Sequence, residues 1–186
     1  KGGGDLGLHI QRIVEEDENV YMRTIGQGLT PPDYMRQCVE AELETLQAAA
    51  DLTPAVLQEP LAGMEPLPGF GASAVDLAAG YRRRGEKIGQ YGCGIYARNH
   101  MFYLNAQGQI VPVLHPDDTR LSDLVDYKRE QQIILDNTHA LLDGRPAANI
   151  LLTGDAGTGK SSTVKAVANE LHREGLRILE VRKEQL

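Results

Sequence analysis

Apolar positions along the chain recur first at helical and then at strand spacing. Residues 7–26 carry Leu8, Ile10, Ile13 and Val14, which predict a short helix. A longer helix is predicted next. Thr30-Pro31-Pro32-Asp33 offers a Thr cap, Pro at the first helical position and an acid three residues after the cap. Met35, Cys38, Val39, Leu43 and Leu46 then recur at helical spacing, and the alanines at 48–50 continue the run until Thr53-Pro54 opens a new segment. Residues 58–73, with Glu65-Pro66-Leu67-Pro68-Gly69 among them, predict an irregular connector. Residues 75–84 predict a further helix closing on Arg82-Arg83-Arg84, read as a solvated helix end.

Past Gly92 the character changes. Ile95-Tyr96-Ala97 and Met101-Phe102-Tyr103-Leu104 predict strand, residues 105–109 a turn around Gly108, and residues 110–114 a second strand, so that the stretch reads as a β-hairpin. His115-Pro116-Asp117-Asp118 predicts a linker and a domain boundary. Residues 127–142 predict a helix, with Asp126 as its cap and Gly144 as its stop. Asn149-Ile150-Leu151-Leu152-Thr153 is an apolar run of strand type. It leads into a glycine-rich loop and a helix over about 160–173 built on Val164, Val167, Ala168 and Leu171. Gly175 ends that helix, and residues 176–181 predict a second buried strand. Helix, strand, loop, helix, strand implies a parallel sheet with helices on its faces.

Composition narrows the classes. Of 186 residues 41% are hydrophobic, enough for a packed core, and no apolar run is long enough for a membrane helix. The formal charge of −7 gives no bulk attraction to nucleic acid or anionic lipid. Cys38 and Cys93 have neither metal-ligand nor redox spacing. Cys38 falls on the apolar side of its helix, where a buried free thiol is expected, and the profile suits a reducing cytoplasm. The start at Lys1, followed by glycines at 2–4, reads as an internal boundary rather than a natural N-terminus.

Chemistry concentrates in one loop. Gly154-Asp155-Ala156-Gly157-Thr158-Gly159-Lys160-Ser161 fits the P-loop pattern G-x-x-x-x-G-K-[ST] at every fixed position, with a predicted strand before it and a helix after it. The glycines let the backbone approach phosphate closely, and the helix start presents N–H groups and about half a positive charge. Lys160 is the candidate catalytic residue, reaching the β- and γ-phosphates. Ser161 is the candidate magnesium ligand, and Ser162 is placed for the α-phosphate. A dinucleotide fingerprint is the rival: Gly157 and Gly159 form G-x-G, and Glu180 ends the next strand. Its third small position, 162, holds Ser, and the Lys160-Ser161 pair has no role in it. Leu121-Ser122-Asp123-Leu124-Val125 is placed either to pack on a nucleotide base or to serve the core; spacing does not separate the two.

The second half resembles the AAA+ ATPases, and most closely an uncharacterised bacterial family of predicted AAA+ ATPases, the domain-of-unknown-function 815 group. The resemblance runs over about residues 96–186. It rests on Leu121-Ser122-Asp123-Leu124-Val125, Asp136-Asn137-Thr138, residues 150–163 and Gly175-Leu176-Arg177-Ile178-Leu179-Glu180-Val181. It implies ATP with Mg2+ as ligand, the base against Leu124 and Val125, homo-oligomerisation, and action on a protein partner of unknown identity. Asp126 stands where such proteins usually carry Gly, and Ala156 where this family often has a larger basic residue.

The fold expected is thus an α/β P-loop NTPase of AAA+ type. A mainly helical region is expected over residues 1–92, a hairpin and linker over 93–116, and the first part of the ATPase domain over 117–186. Hydrolysis in such enzymes needs an acidic strand end later in the chain, so a fragment of a longer protein, cut after its second strand, is expected. Two alternatives remain: another P-loop enzyme such as a GTPase or small kinase, and a nucleotide-gated binding module with little hydrolysis.

Overall fold

A computed structural model describes residues 4–61, 63–65, 68–124 and 126–185. The chain divides into two units, Lys1–Gly94 and Ile95–Leu186. The first holds α1 (Leu6–Glu16), α2 (Val20–Gly26), α3 (Asp33–Ala50), α4 (Pro54–Gln58), α5 (Leu77–Glu86) and α6 (Ile88–Tyr91). Asp5, Asn19, Thr53 and Asp76 cap α1, α2, α4 and α5, each accepting a backbone N–H of the first turn. Each thereby satisfies one of the N–H groups that a helix start leaves unpaired.

Val14, Met22, Leu43, Ala50, Leu77 and Tyr81 form the buried core of this unit, with Val39, Val75 and Ile88 packed around it. The stripe of α3 that faces inward is Val39, Leu43, Gln47 and Ala50. Cys38, expected to be buried, lies one position off that stripe and is exposed. The helix also begins later than its sequence suggests: Pro32 is the residue before it, no side chain caps it, and Thr30 has no capping role. Gln47 joins α3 to α5, accepting from Leu77 N–H at 3.0 Å and donating to the Val75 carbonyl at 3.0 Å.

At the other end of the core, the Asp5 carboxylate accepts from Leu8 N–H, Ser73 N–H and the Ser73 hydroxyl. These bonds, that from Leu8 first, hold its pKa below the ordinary carboxylate value. α1 approaches the 71–73 segment so closely that a Cβ on Gly7 would collide with the Ser73 carbonyl oxygen. Of the arginine triplet, Arg82 and Arg83 are exposed as expected. Arg84 instead turns inward, paired with Glu15 at 3.7 Å and lying 5.1 Å over the Tyr91 ring.

The second unit opens with α7 (Ile95–Arg98), a single helical turn where strand was expected. β1 (Met101–Leu104) and β2 (Ile110–Pro112) then form the predicted hairpin, shorter than its apolar run. β1 also pairs in parallel with β3 (Ile178–Glu180), giving the sheet order β2-β1-β3. The hairpin therefore lies in one unit with the loop and its helix, and the chain divides at 94/95 rather than at 115–118. Between the strands come α8 (Lys128–Leu142) and α9 (Lys160–Leu171). Leu121, Ala166, Val167, Leu171 and Leu176 make the core, with Ile134, Leu135 and Leu142 of α8 packed on it.

Asn169 on α9 donates to the carbonyls of Asp117 and Thr119 and accepts from His100 Nε2, so this ring nitrogen carries the proton. The run Asn149–Thr153, expected as a strand, forms none: no strand among the described residues pairs with it, and Leu151 is 85% exposed. Residues 1–3, Ala62 and the Pro66-Leu67 pair of the connector, Val125 and Leu186 lie outside the described residues.

Candidate functional site

The glycine-rich loop is shaped by three glycines with φ between +80° and +145°, Gly154, Gly157 and Gly159, which a residue with a Cβ occupies only under strain. Thr158 closes the loop upon itself, its hydroxyl donating to the Asp155 carbonyl at 2.9 Å. Lys160 crosses beneath it. Its ammonium donates to the carbonyls of Gly154, at 2.9 Å, and Asp155, and contacts the Thr158 hydroxyl at 3.3 Å. The single cationic head is thus centred on the ring of backbone that the glycines open.

α9 starts at this same point. Its N-cap is Gly159, in the left-handed region, and no side chain caps the helix. The first backbone bond runs from Thr163 N–H to the Gly159 carbonyl at 2.8 Å, so the N–H groups of Lys160, Ser161 and Ser162 precede the ladder. The Thr163 hydroxyl donates to the Gly159 carbonyl at 3.0 Å and fixes the first turn. Ser161 is exposed and Ser162 half-buried, and neither hydroxyl has a partner among the described residues. Asp155 and Ala156 are exposed on the loop's outer side. The loop, the lysine, two hydroxyls and an uncapped helix start thus lie together at one point of the unit. The Lys160 ammonium is occupied by loop oxygens, whereas the first N–H groups of α9 and the two serine hydroxyls have no partner among the described residues.

A cleft of about 390 Å³ adjoins the loop. α8 contributes Glu130, Gln131 and Ile134 to one wall, and Tyr127, just before that helix, also lines the cleft. The opposite wall is the extended run 151–155, closed by Lys160 and Thr163. The walls are held by identifiable bonds. Asn137 on α8 clamps Ala148 through two hydrogen bonds of 2.8 Å, to its carbonyl and from its N–H, and so places the chain entering the loop alongside α8. Lys128 ties the start of α8 to the turn before it, donating to the carbonyls of Leu121 and Leu124. Gln131, buried, donates to the Asp126 carbonyl at 3.0 Å.

Asp126 does not cap α8; Tyr127 holds that position at φ +66°, and it is the non-glycine residue with positive φ among the described residues. Leu124 packs around the core of the unit and does not line the cleft. Val125 lies outside the described residues. The cleft residues of α8 carry no motif. Asn137 falls in the Asp136-Asn137-Thr138 run on which the resemblance rests, but its pairing with Ala148, eleven residues on, has no periodic meaning.

No group of three or more His, Cys, Asp or Glu able to hold a metal occurs among the described residues. Any divalent ion here would depend on Ser161 and on oxygens arriving with a ligand. Nor is any described helix long and apolar enough to cross a membrane.

Residues 97–186 match the family model described as Protein of unknown function (DUF815). The match takes in the loop, α8, α9 and all three strands, just under half of the chain, and supports membership of that family for this part. No curated protein and no solved structure matches the chain.

Proposed function

We propose that residues 154–161 bind the phosphates of ATP with magnesium, and that the protein uses this binding, with hydrolysis, to act on a protein partner in the manner of an AAA+ ATPase. The observation that carries the reading is the convergence of the Lys160 ammonium, the unladdered N–H groups of Lys160–Ser162 and the free Ser161 hydroxyl at one loop whose glycines admit close approach. Each is a donor or a ligand of the kind an anion with magnesium needs, and the helix dipole has the same sign. Lys160 would exchange its loop carbonyls for β- and γ-phosphate oxygens. Ser161 would supply one oxygen to magnesium, which neutralises phosphate charge when bound. The preference for ATP over GTP, and the α/β P-loop fold of the second unit, rest on the resemblance.

The test is equilibrium binding of ATP and GTP, each with and without magnesium, to the protein and to Lys160→Ala. The variant should bind ATP about ten- to a hundredfold more weakly, the loss expected for a charge-assisted contact. Ser161→Ala should keep metal-free binding and lose most of the gain from magnesium. Equal affinity of parent and Lys160→Ala removes the phosphate-binding reading, and a preference for GTP turns it toward a different P-loop enzyme. Phosphate release measured on the same samples separates an ATPase from a nucleotide-gated binding module.

A further inference from the structure

A second concavity lies in the first unit, far in sequence from the loop. It is a groove of about 1100 Å³ running between α3 and α5. Its floor is apolar, formed by Val39, Leu43, Ile25 and Val75. Its rim is acidic: five carboxylates line it against two guanidiniums. Glu40 and Glu44 stand one turn apart on α3, both exposed and neither in an ion pair among the described residues. Like charges at that spacing repel, which costs an isolated helix a few tenths of a kcal/mol. Glu86 on α5 adds a charge of the same sign to the facing wall. The acidic excess of the chain also lies in this unit. The first 94 residues hold 14 Asp and Glu against 8 Lys and Arg, whereas the remaining 92 hold 12 against 11.

We propose that this groove binds an amphipathic helix of a partner protein, with an apolar stripe seated on Val39 and Leu43 and lysines or arginines flanking it toward Glu40, Glu44 and Glu86. The dimensions suit such an occupant. The groove follows α3 from Arg36 to Asp51, and 15 residues of helix span about 22 Å. A helix about 10 Å wide, half sunk over that length, displaces roughly 900 Å³, close to the volume of the groove. Helix-in-groove recognition reads side chains at i, i+3 or i+4 and i+7, which matches a floor supplied by successive turns of α3. The basic flanks follow from charge complementarity, since an acidic helix would meet repulsion on both walls.

The probe is a fluorescein-labelled 15-residue peptide of Leu, Ala and Lys, with Leu at every third or fourth position and Lys on both flanks. Two controls accompany it: one with the same composition and the leucines out of register, and one with Glu for Lys. The full chain should bind the first peptide, with an affinity that falls as salt rises, and the controls at least about tenfold more weakly. Glu40→Lys/Glu44→Lys should reverse the order and bind the Glu peptide instead, which also shows that the variant is folded. Should that double variant fail to fold, Glu86→Lys on the opposite wall should weaken the Lys peptide alone.

Equal binding of the in-register and out-of-register peptides would overturn the proposal, as would unchanged affinity in the charge-reversed proteins. Sedimentation showing a dimer of the parent chain that the double variant abolishes would also overturn it, assigning the groove to a second copy.

Discussion

Single residues set the local chemistry of both units, and the clearest case outside the loop is Tyr81. Its ring is buried in the first core, 5.9 Å from that of Tyr21, while its hydroxyl bonds Asn19. Burial pushes its pKa up from 10.0 to about 12, because the phenolate cannot be solvated there. The sign follows from linkage. The folded state holds the proton more tightly than the unfolded one, so the full contribution is present below pH 10 and is lost as pH rises through about 12. Thermal melts of the parent should therefore fall across that window, and those of Tyr81→Phe should fall less. Parallel curves would show that another group carries the alkaline transition.

Tyr127 offers a second residue-scale test. Its φ of +66° costs a side chain with a Cβ about 1 kcal/mol or more. Tyr127→Gly should raise the stability of the second unit by up to about 1 kcal/mol, net of glycine's own entropy. Chemical denaturation that shows a loss instead would mean that the ring supports the cleft more than its backbone strains it.

At the scale of elements, Asn137 decides whether the loop has a fixed entrance. Its two bonds to Ala148 are exposed, so their net worth to stability is about 1 kcal/mol each at most. Their effect on the loop should be larger. Without them residues 149–153 have no ladder to hold them, and ordering them would fall to the ligand. Asn137→Ala should thus weaken ATP by about tenfold while lowering the melt by no more than about 10 °C, and Asn137→Asp, which keeps the acceptor and loses the donor, should fall between. An unchanged ATP affinity in Asn137→Ala would show that the run holds its place otherwise.

The same run marks how far the sequence is legible. Gly154, Gly157, Gly159 and Lys160 declare themselves because each residue type answers a local demand of backbone angle or charge. The helices are legible where an apolar stripe recurs at helical spacing, as over α3 and α9. Ile150–Thr153 reads as strand by propensity, yet a strand exists only through a partner, and propensity does not supply one. Ile95–Ala97 misleads too: its β-favouring residues form a helical turn instead. β1 takes β2 on one side and β3 on the other, and neither the parallel pairing nor the cleft built on α8 has a local signature. Cys38 shows the finer limit, since one position around a helix separates an exposed thiol from the stripe of Val39 and Leu43.

For the whole molecule, two cores with no residue in common are built from two different stretches of chain. Leu77, 1% exposed, belongs to the first, and the loop begins the helix that fills the second. Truncating a buried leucine costs about 2–5 kcal/mol through lost transfer energy and the cavity left behind. Ligand at a hundredfold over its dissociation constant stabilises the state that binds it by about 2.7 kcal/mol. Hydrogen-exchange mass spectrometry reads the two effects separately, because peptides from residues 4–94 and 95–185 report on different cores. Leu77→Ala should speed exchange in α1, α3 and α5 and leave ATP affinity within about twofold of the parent, while ATP with magnesium should slow exchange in α8 and α9. If Leu77→Ala abolishes ATP binding as it loosens α3 and α5, the two cores unfold as one cooperative unit. If ATP slows exchange nowhere in α8 or α9, the loop does not hold it.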